Sequence, residues 1–198
     1  MSARGASLWE PYRRPLRIGA PGLADQAAIA GFSFATTVVL GRGLGPEAFG
    51  AYVLTFAALQ YAWSLQTALV TQPHNVLGVA RDDYRRYTAT VGRIAIAFAA
   101  AAAGSLATAG TLAFAAGRPY AGTLLVAAVP ALAAWQAHEL FRRILYTESR
   151  VAAAAAVDAL GYGCQALAIA ALWAVGALSA VAALLALAGG FALGAAAG

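Results

Sequence analysis

Polar side chains recur at helical spacing inside the long apolar runs of this sequence. Gln60, Ser64 and Thr67 fall on one face of a helix, and Gln60 lies about 16 Å beyond Phe49, near the middle of a bilayer. An amide at that depth needs a partner, so the face turns either to a neighbouring helix or to a wet cavity that hydrogen-bonds a polar substrate. The candidates for such a polar path are Asp25, Gln26, Gln60, Gln66, Asp158 and Gln165.

Asp158 is the most deeply placed charge, about 12 Å beyond Arg150 on a continuous helix. An aspartate at the bilayer centre costs about 2.5 to 3.5 kcal/mol on insertion scales, so it should face the bundle or a cavity. There it either couples a transport cycle to a proton or sodium ion or partners a polar group of a neighbouring helix. We predict that Gln60, Asp158 and Gln165 face one interior surface.

A second set of candidates is mainly basic and lies between apolar runs. Guanidinium groups bind phosphate, so arginines at the cytoplasmic end of a span can gather an anionic head group at its entrance. These candidates are Arg81, Arg85, Arg86, Arg93, Glu139, Arg142 and Arg143. Glu139 precedes Arg143 by four residues, the favourable order for an ion pair on a helix. The alternative is a solvated helix end whose arginines only set topology, because neighbouring acidic residues partly neutralise them.

The other chemically versatile residues form no catalytic or metal-binding pattern. The sequence holds two histidines, His74 and His138, and one cysteine, Cys164, without metal-ligand spacing. It has no glycine-rich phosphate loop and no Ser/His/Asp set that the spans would bring together. We therefore expect that the protein is not an enzyme and that it has no metal site and no cofactor. His74 lies in the connection of residues 71–93, and we expect it to be an exposed loop residue.

Composition places the chain in the membrane. Hydrophobic residues make up 62% and charged residues 11%, against about 25% charged in soluble domains, and the mean hydropathy is +0.71. The formal net charge of +5 comes from arginines that cluster between apolar runs. Because the positive loops of a membrane protein explain this charge, we expect no nucleic-acid partner.

The apolar runs predict an all-α, polytopic membrane protein with six spans. Each run is close to the roughly 20 residues that cross a hydrocarbon core of about 30 Å. A basic segment, residues 1–22, comes first, with Trp9 and Tyr12 expected at headgroup level. A six-helix unit, residues 23–198, follows, with spans over about 23–40, 49–70, 94–116, 120–137, 151–175 and 178–198.

The first two spans are predicted to form a helical hairpin around which the others are arranged. Glycines between Gly41 and Gly45 interrupt the helical pattern, Pro46 suits the first position of a new helix, and Glu47 lies favourably at its positive end. The next connection, residues 71–93, is polar and long enough to leave the membrane.

Two later patterns predict packing. Tyr84, Tyr87 and Val91 share a helical face, so the third span should begin as an amphipathic extension along the head groups. Glycines repeat every fourth residue from Gly190, which indicates close helix packing in the last span.

An Asp- and Gln-bearing first helix followed by GRGLGPEAFGAY, from Gly41 to Tyr52, resembles the start of bacterial polysaccharide flippases. These belong to the multidrug/oligosaccharidyl-lipid/polysaccharide exporter superfamily. The specific part of the motif is Leu-Gly-Pro-Glu from Leu44, then Phe-Gly, then Tyr52. Glu139 with its paired arginines, followed by Asp158, also looks like this family.

The resemblance implies one lobe of a flippase for lipid-linked oligosaccharides or polysaccharide precursors of lipopolysaccharide or exopolysaccharide, in the bacterial inner membrane. Related transporters have two six-helix lobes, and one lobe alone has no opposing wall. We therefore expect either a fragment of a longer chain, a homodimer or a separate second half. Polymerase and glycosyltransferases of the pathway are further expected partners. The alternatives are a non-transporting membrane scaffold of a polysaccharide assembly complex and a small ion-coupled exporter that uses Asp158.

Orientation follows from the arginines on alternate sides of the spans. Eleven of the thirteen lie on the side of the N-terminus, and only Arg42 and Arg118 lie opposite. Because cytoplasmic loops carry the excess of basic residues, the N-terminus is predicted to be cytoplasmic, and six spans return the C-terminus to the same side.

Cysteine labelling tests this orientation. In a Cys164→Ser background, a cysteine replacing Glu47 should react with a membrane-impermeant maleimide added outside intact cells, and one replacing Asp82 should not. Labelling of the Glu47 position from the cytoplasmic side alone would contradict the orientation.

Overall fold

The protein is described by a computed structural model that covers the backbone of residues 10–198 and the side chains of residue 20 and residues 22–198. This part of the chain is mostly helical and contains no strand. Six of its helical segments are long and apolar enough to cross a membrane: Gly22–Gly43, Pro46–Ala80, Tyr84–Ala115, Pro119–Thr147, Val151–Ala174 and Ala180–Ala197. The predicted all-α class with six spans is thereby confirmed. The expected positions of Trp9 and Tyr12 fall outside the described side chains.

The helices follow one another with short connections. They are α1 (Glu10–Gly43), α2 (Pro46–Gln66), α3 (Gln72–Leu77), α4 (Tyr84–Ala115), α5 (Pro119–Thr147), α6 (Val151–Ala174) and α7 (Ala180–Ala197). A π-helical turn, Thr67–Thr71, joins α2 to α3, and a 3-10 turn, Gly78–Ala80, follows α3. The second span is therefore longer than predicted. The first helix also begins earlier than residue 23, because its backbone is helical from Glu10.

The turn between α1 and α2 is shorter than the glycines suggested. Only Leu44 and Gly45 lie outside the helices, and Pro46 and Glu47 open α2 as expected. α1 instead continues through Gly43, where an added Cβ would meet Leu178 at 2.6 Å and Trp173 at 2.7 Å. That glycine permits a close helix contact and does not end the helix.

The predicted hairpin is wrong as a packing unit. Although two residues join them, α1 and α2 make few contacts with each other: α1 packs on α6, and α2 packs on α5. The two helices therefore diverge from their turn. α5 is the central helix, because it contacts α2, α4, α6 and α7.

Aromatic rings fill the space around α5. The Trp135 ring stacks on Phe56 and on Phe191, each at 5.4 Å between centroids, and on Trp63 at 5.9 Å. Such offset stacking adds to the area that these rings bury. Trp135 thus ties α2 and α7 to α5.

Much of the connection after the second span is helical. Residues 72–77 are helical, and α4 begins at Tyr84 with Val91 buried and Tyr87 half-buried, which confirms the amphipathic start of that span. His74 is 1% exposed, with its Nε2 3.0 Å from the Thr88 hydroxyl and its ring stacked on Tyr87. The prediction of an exposed His74 is wrong because the start of α4 folds back over α3.

Glycines allow α6 and α7 to approach closely. A Cβ at Gly190 would lie 2.6 Å from the Gly161 carbonyl oxygen and 2.9 Å from Gln165. The repeat that begins at Gly190 therefore marks a real contact. Small residues of this kind bring membrane helices close enough for extensive van der Waals contact.

Gly190→Ala should lower the free energy of unfolding by about 1 to 3 kcal/mol, because the added methyl group overpacks this contact. Gly189→Ala is the matched control in the same helix, since nothing lies within 4 Å of the place that its methyl group would occupy. Thermal unfolding of both variants in one detergent checks this, and equal melting temperatures would contradict the α6–α7 packing.

Candidate functional site

Charged side chains from three helices converge on one guanidinium. Arg142 of α5 lies 2.5 Å from Asp158 of α6 through Nε, 3.4 Å from Glu139 through Nη1 and 3.5 Å from Asp25 of α1 through Nη2. Arg143 Nε donates to the other Glu139 oxygen at 2.5 Å. We call Asp25, Glu139, Arg142, Arg143 and Asp158 the Arg142 cluster.

Helix direction explains why these residues meet. Asp25 lies early in the first span, Asp158 lies in the third turn of α6, and Glu139 and Arg142 lie near the end of α5. Because consecutive spans alternate in direction, all of these positions are at the same end of the bundle. This is the end that carries most of the arginines.

The three carboxylates of the cluster are buried. Asp158 is 1%, Glu139 3% and Asp25 4% exposed. Removing such charges from water is costly unless each has a partner, and Arg142 supplies a separate nitrogen to each carboxylate. Three carboxylates face two guanidinium groups, so one negative charge is in excess when all five are ionised.

Tyr146 and His138 complete the surroundings of the two aspartates. The Tyr146 hydroxyl donates to Asp25 Oδ2 at 2.7 Å, and its ring lies under Arg142 at 5.2 Å. His138 Nε2 lies 3.4 Å from Asp158 Oδ1 and 3.4 Å from the Val157 carbonyl oxygen. His138 therefore faces α6.

A cleft of about 510 Å³ opens beside the cluster, between α1 and the helices α2, α5 and α6. It exists because α1 and α2 diverge from their turn. Its lining combines guanidinium, phenol and amide groups with an indole: Gly22, Gln26, Ile29, Trp63, Glu139, Arg142, Arg143, Tyr146 and Tyr162. Its volume and mixed lining suit a polar head group, and cavities of roughly 300 to 1,000 Å³ are typical of ligand sites.

The predicted polar path is only partly assembled. Asp25 and Asp158 meet at Arg142, and Gln26 lines the cleft and donates to Asp25 at 3.3 Å. Gln66 is buried between α2 and α5, where its Nε2 donates to the backbone carbonyl oxygen of Gln136 at 3.2 Å. Gln165 is buried against α7.

Gln60 does not share an interior surface with Asp158 and Gln165, because its side chain is exposed on α2. α2 turns Leu59 and Gln66 toward α5 instead, and these two residues lie on a different face of the helix from Gln60.

The predicted entrance separates into two groups. Glu139, Arg142 and Arg143 belong to the cluster, so the interpretation of this helix end as solvated is wrong. The other four are exposed and do not line the cleft: Arg81 precedes α4, and Arg85, Arg86 and Arg93 lie in its first three turns. Arg81 pairs with Asp83 at 3.9 Å on the surface.

Sequence reasoning missed the aromatic part of the site. Tyr146 follows Arg142 by four residues, so helical spacing places both on one face and was a usable signal. Trp63 and Tyr162 lie on other helices, and no local pattern connects them with Arg142. Among the side chains described, no group of three or more His, Cys, Asp or Glu is placed to hold a metal ion.

Comparisons with protein-family models, curated proteins and solved structures found no match to this chain. The resemblance to polysaccharide flippases therefore stays a prediction that depends on the residues quoted above.

Arg142→Gln should destabilise the protein by about 3 to 5 kcal/mol, because it leaves three buried carboxylates without their shared cation. Arg150→Gln is the control, since that arginine pairs with Glu148 on the exposed surface. Adding Asp158→Asn to Arg142→Gln should recover part of the loss. Melting temperatures of the three variants in one detergent check this. An Arg142→Gln variant as stable as the control would contradict a stabilising role for the Arg142 cluster.

Proposed function

We propose that this chain is one six-helix lobe of a transporter that moves lipid-linked oligosaccharide or polysaccharide precursors across the bacterial inner membrane. The observation that carries the proposal is the cleft between α1 and α2, which is lined by Glu139, Arg142 and Arg143 and lies beside the buried Arg142 cluster. The family resemblance supplies the substrate class, and the cleft supplies a place for its head group.

The chemistry of the lining suits such a substrate. A sugar head group cannot cross hydrocarbon unaided, and Gln26, Tyr146 and Tyr162 offer it hydrogen bonds. Its diphosphate is anionic and attracts guanidinium groups. Arg142 already holds three carboxylates, so Arg143, whose side chain is 26% exposed and has one carboxylate partner, is the residue that reaches the phosphate. The lipid chain stays in the bilayer beside the gap between α1 and α2.

A second lobe completes the path in this proposal. Exposed on α2 are Gln60 and Ser64 together with large apolar side chains such as Leu54 and Tyr61. A mixed surface of this kind can face an opposing lobe across a polar passage. The lobe comes from a longer form of the same chain, from a second copy or from a separate protein. Alternating access then follows from rocking of one bundle against the other. The N-terminus and the Arg142 cluster are assigned to the cytoplasmic side by the arginine asymmetry.

The excess negative charge in the Arg142 cluster favours a second candidate, an ion-coupled exporter. A proton or sodium ion bound near Asp25 and Asp158 would neutralise the third carboxylate. The two functions are compatible, because ion coupling can drive export of the lipid-linked substrate. A purely structural scaffold explains the buried ion pairs but gives no role to the lined cleft.

Complementation tests the transport proposal. In a flippase-null strain, the full-length gene with Arg143→Gln or Gln26→Ala should lower polymer export at least tenfold, because each change removes a group that contacts the substrate in the cleft. Arg150→Gln removes an exposed arginine from the same end and should leave export unchanged. Protein levels are compared by immunoblot. Full export by both cleft variants would contradict the proposal, and loss of export by Asp158→Asn alone would favour ion coupling without head-group binding.

A further inference from the structure

A second groove lies on another face of α5, between α4 and α5, and has a volume of about 620 Å³. Small side chains form most of its walls, among them Gly92, Ala99 and Ala103 on α4 and Ala133 and Ala137 on α5. From Gly92 to Ala103 it extends over three helical turns, about 16 Å. It shares no lining residue with the cleft beside Arg142.

Three arginines lie where this groove opens toward the start of α4. Arg85 is on the same face of α4 as Gly92, two turns nearer the helix start, and Arg86 and Arg93 lie on the adjoining face. All three are exposed. None of them has an acidic partner within 4.0 Å among the side chains that the structure describes. The mouth of the groove is therefore positively charged, and its interior is apolar.

The floor of the groove contains one amide without a partner. Gln136 is 1% exposed, and neither its Nε2 nor its Oε1 has a hydrogen-bond partner among the described residues. Leaving a buried amide unsatisfied costs free energy, so such a group points to a polar atom that completes the site. By the antiparallel packing of α4 and α5, Gln136 lies one to two turns deeper than Arg93.

We propose that this groove binds an anionic diacyl phospholipid from the surrounding membrane. Its phosphate pairs with Arg85, Arg86 and Arg93, one acyl chain lies along the alanine walls, and an ester carbonyl accepts a hydrogen bond from Gln136. Basic sites between membrane helices bind anionic head groups in this way. A packed helix from another protein would cover the alanine walls, but an apolar helix brings no anion to the arginines.

Native mass spectrometry of the full-length protein tests the charge at the mouth. Phosphatidylglycerol should remain bound more strongly than phosphatidylethanolamine. Arg85→Gln/Arg93→Gln should weaken phosphatidylglycerol binding at least tenfold, because each arginine near the membrane surface contributes about fivefold to anionic lipid affinity. The matched control, Arg42→Gln/Arg118→Gln, removes two arginines from the opposite end and should bind as the unchanged protein does.

A second pair of variants tests the groove itself. Ala100→Phe fills the groove, whereas Ala101→Phe adds the same ring to the exposed opposite side of α4, so only the first should displace phosphatidylglycerol. Equal retention by the two phenylalanine variants, or equal binding of the two phospholipids, would overturn the proposal. Binding of undecaprenyl phosphate in preference to phosphatidylglycerol, lost in Ala100→Phe, would also overturn it, by assigning the groove to the carrier lipid.

Discussion

One buried guanidinium, that of Arg142, joins three of the six spans. Its three nitrogens face carboxylates from α1, α5 and α6, all within 3.5 Å. Because the three carboxylates are buried, removal of the guanidinium would leave all of them without their shared cation. The interaction therefore constrains where the start of the first span can lie, because Asp25 must reach α5 and α6 rather than α2.

That constraint accounts for the cleft. α2 is held elsewhere, by the contacts of Phe56 and Trp63 with Trp135 on α5. Two helices joined by a two-residue turn are thus attached to different partners, and the space between them widens away from the turn. The cleft opens where Arg142 and Arg143 face it, so the interaction that holds the bundle together also provides the chemistry of the candidate site.

Much of the architecture could be predicted from sequence, because the apolar runs and Pro46 determine spans and helix starts locally. The identity of the neighbour that each helix meets could not be predicted. Gln60 and Gln66 are both polar and lie on α2, but they are about 120° apart around the helix, and only tertiary packing decides which one is buried. Hydrophobic periodicity shows which residues share a face of a helix, but it does not show which neighbouring helix that face contacts.

The candidate site, too, could be predicted from the sequence only in part. Asp25, Asp158 and Arg142 were all identifiable as candidates, but as members of two separate sets, a midplane path and a basic entrance. These three residues come into contact only because helices that are distant in sequence meet at one end of the bundle. His74 shows the converse, because its polar neighbours suggested a loop, whereas α4 folds back and buries it under Tyr87.

Cysteine accessibility with substrate protection tests the central claim, that the cleft is a water-accessible site for an anionic, lipid-linked head group. In a Cys164→Ser background, the full-length protein with Ile29→Cys, which lines the cleft without an assigned substrate contact, is labelled by an impermeant maleimide in inside-out and right-side-out vesicles. The account predicts labelling in inside-out vesicles that an undecaprenyl diphosphate-linked oligosaccharide slows and undecanol does not. Absence of labelling from both sides, or labelling that the lipid-linked oligosaccharide leaves unchanged, would contradict it.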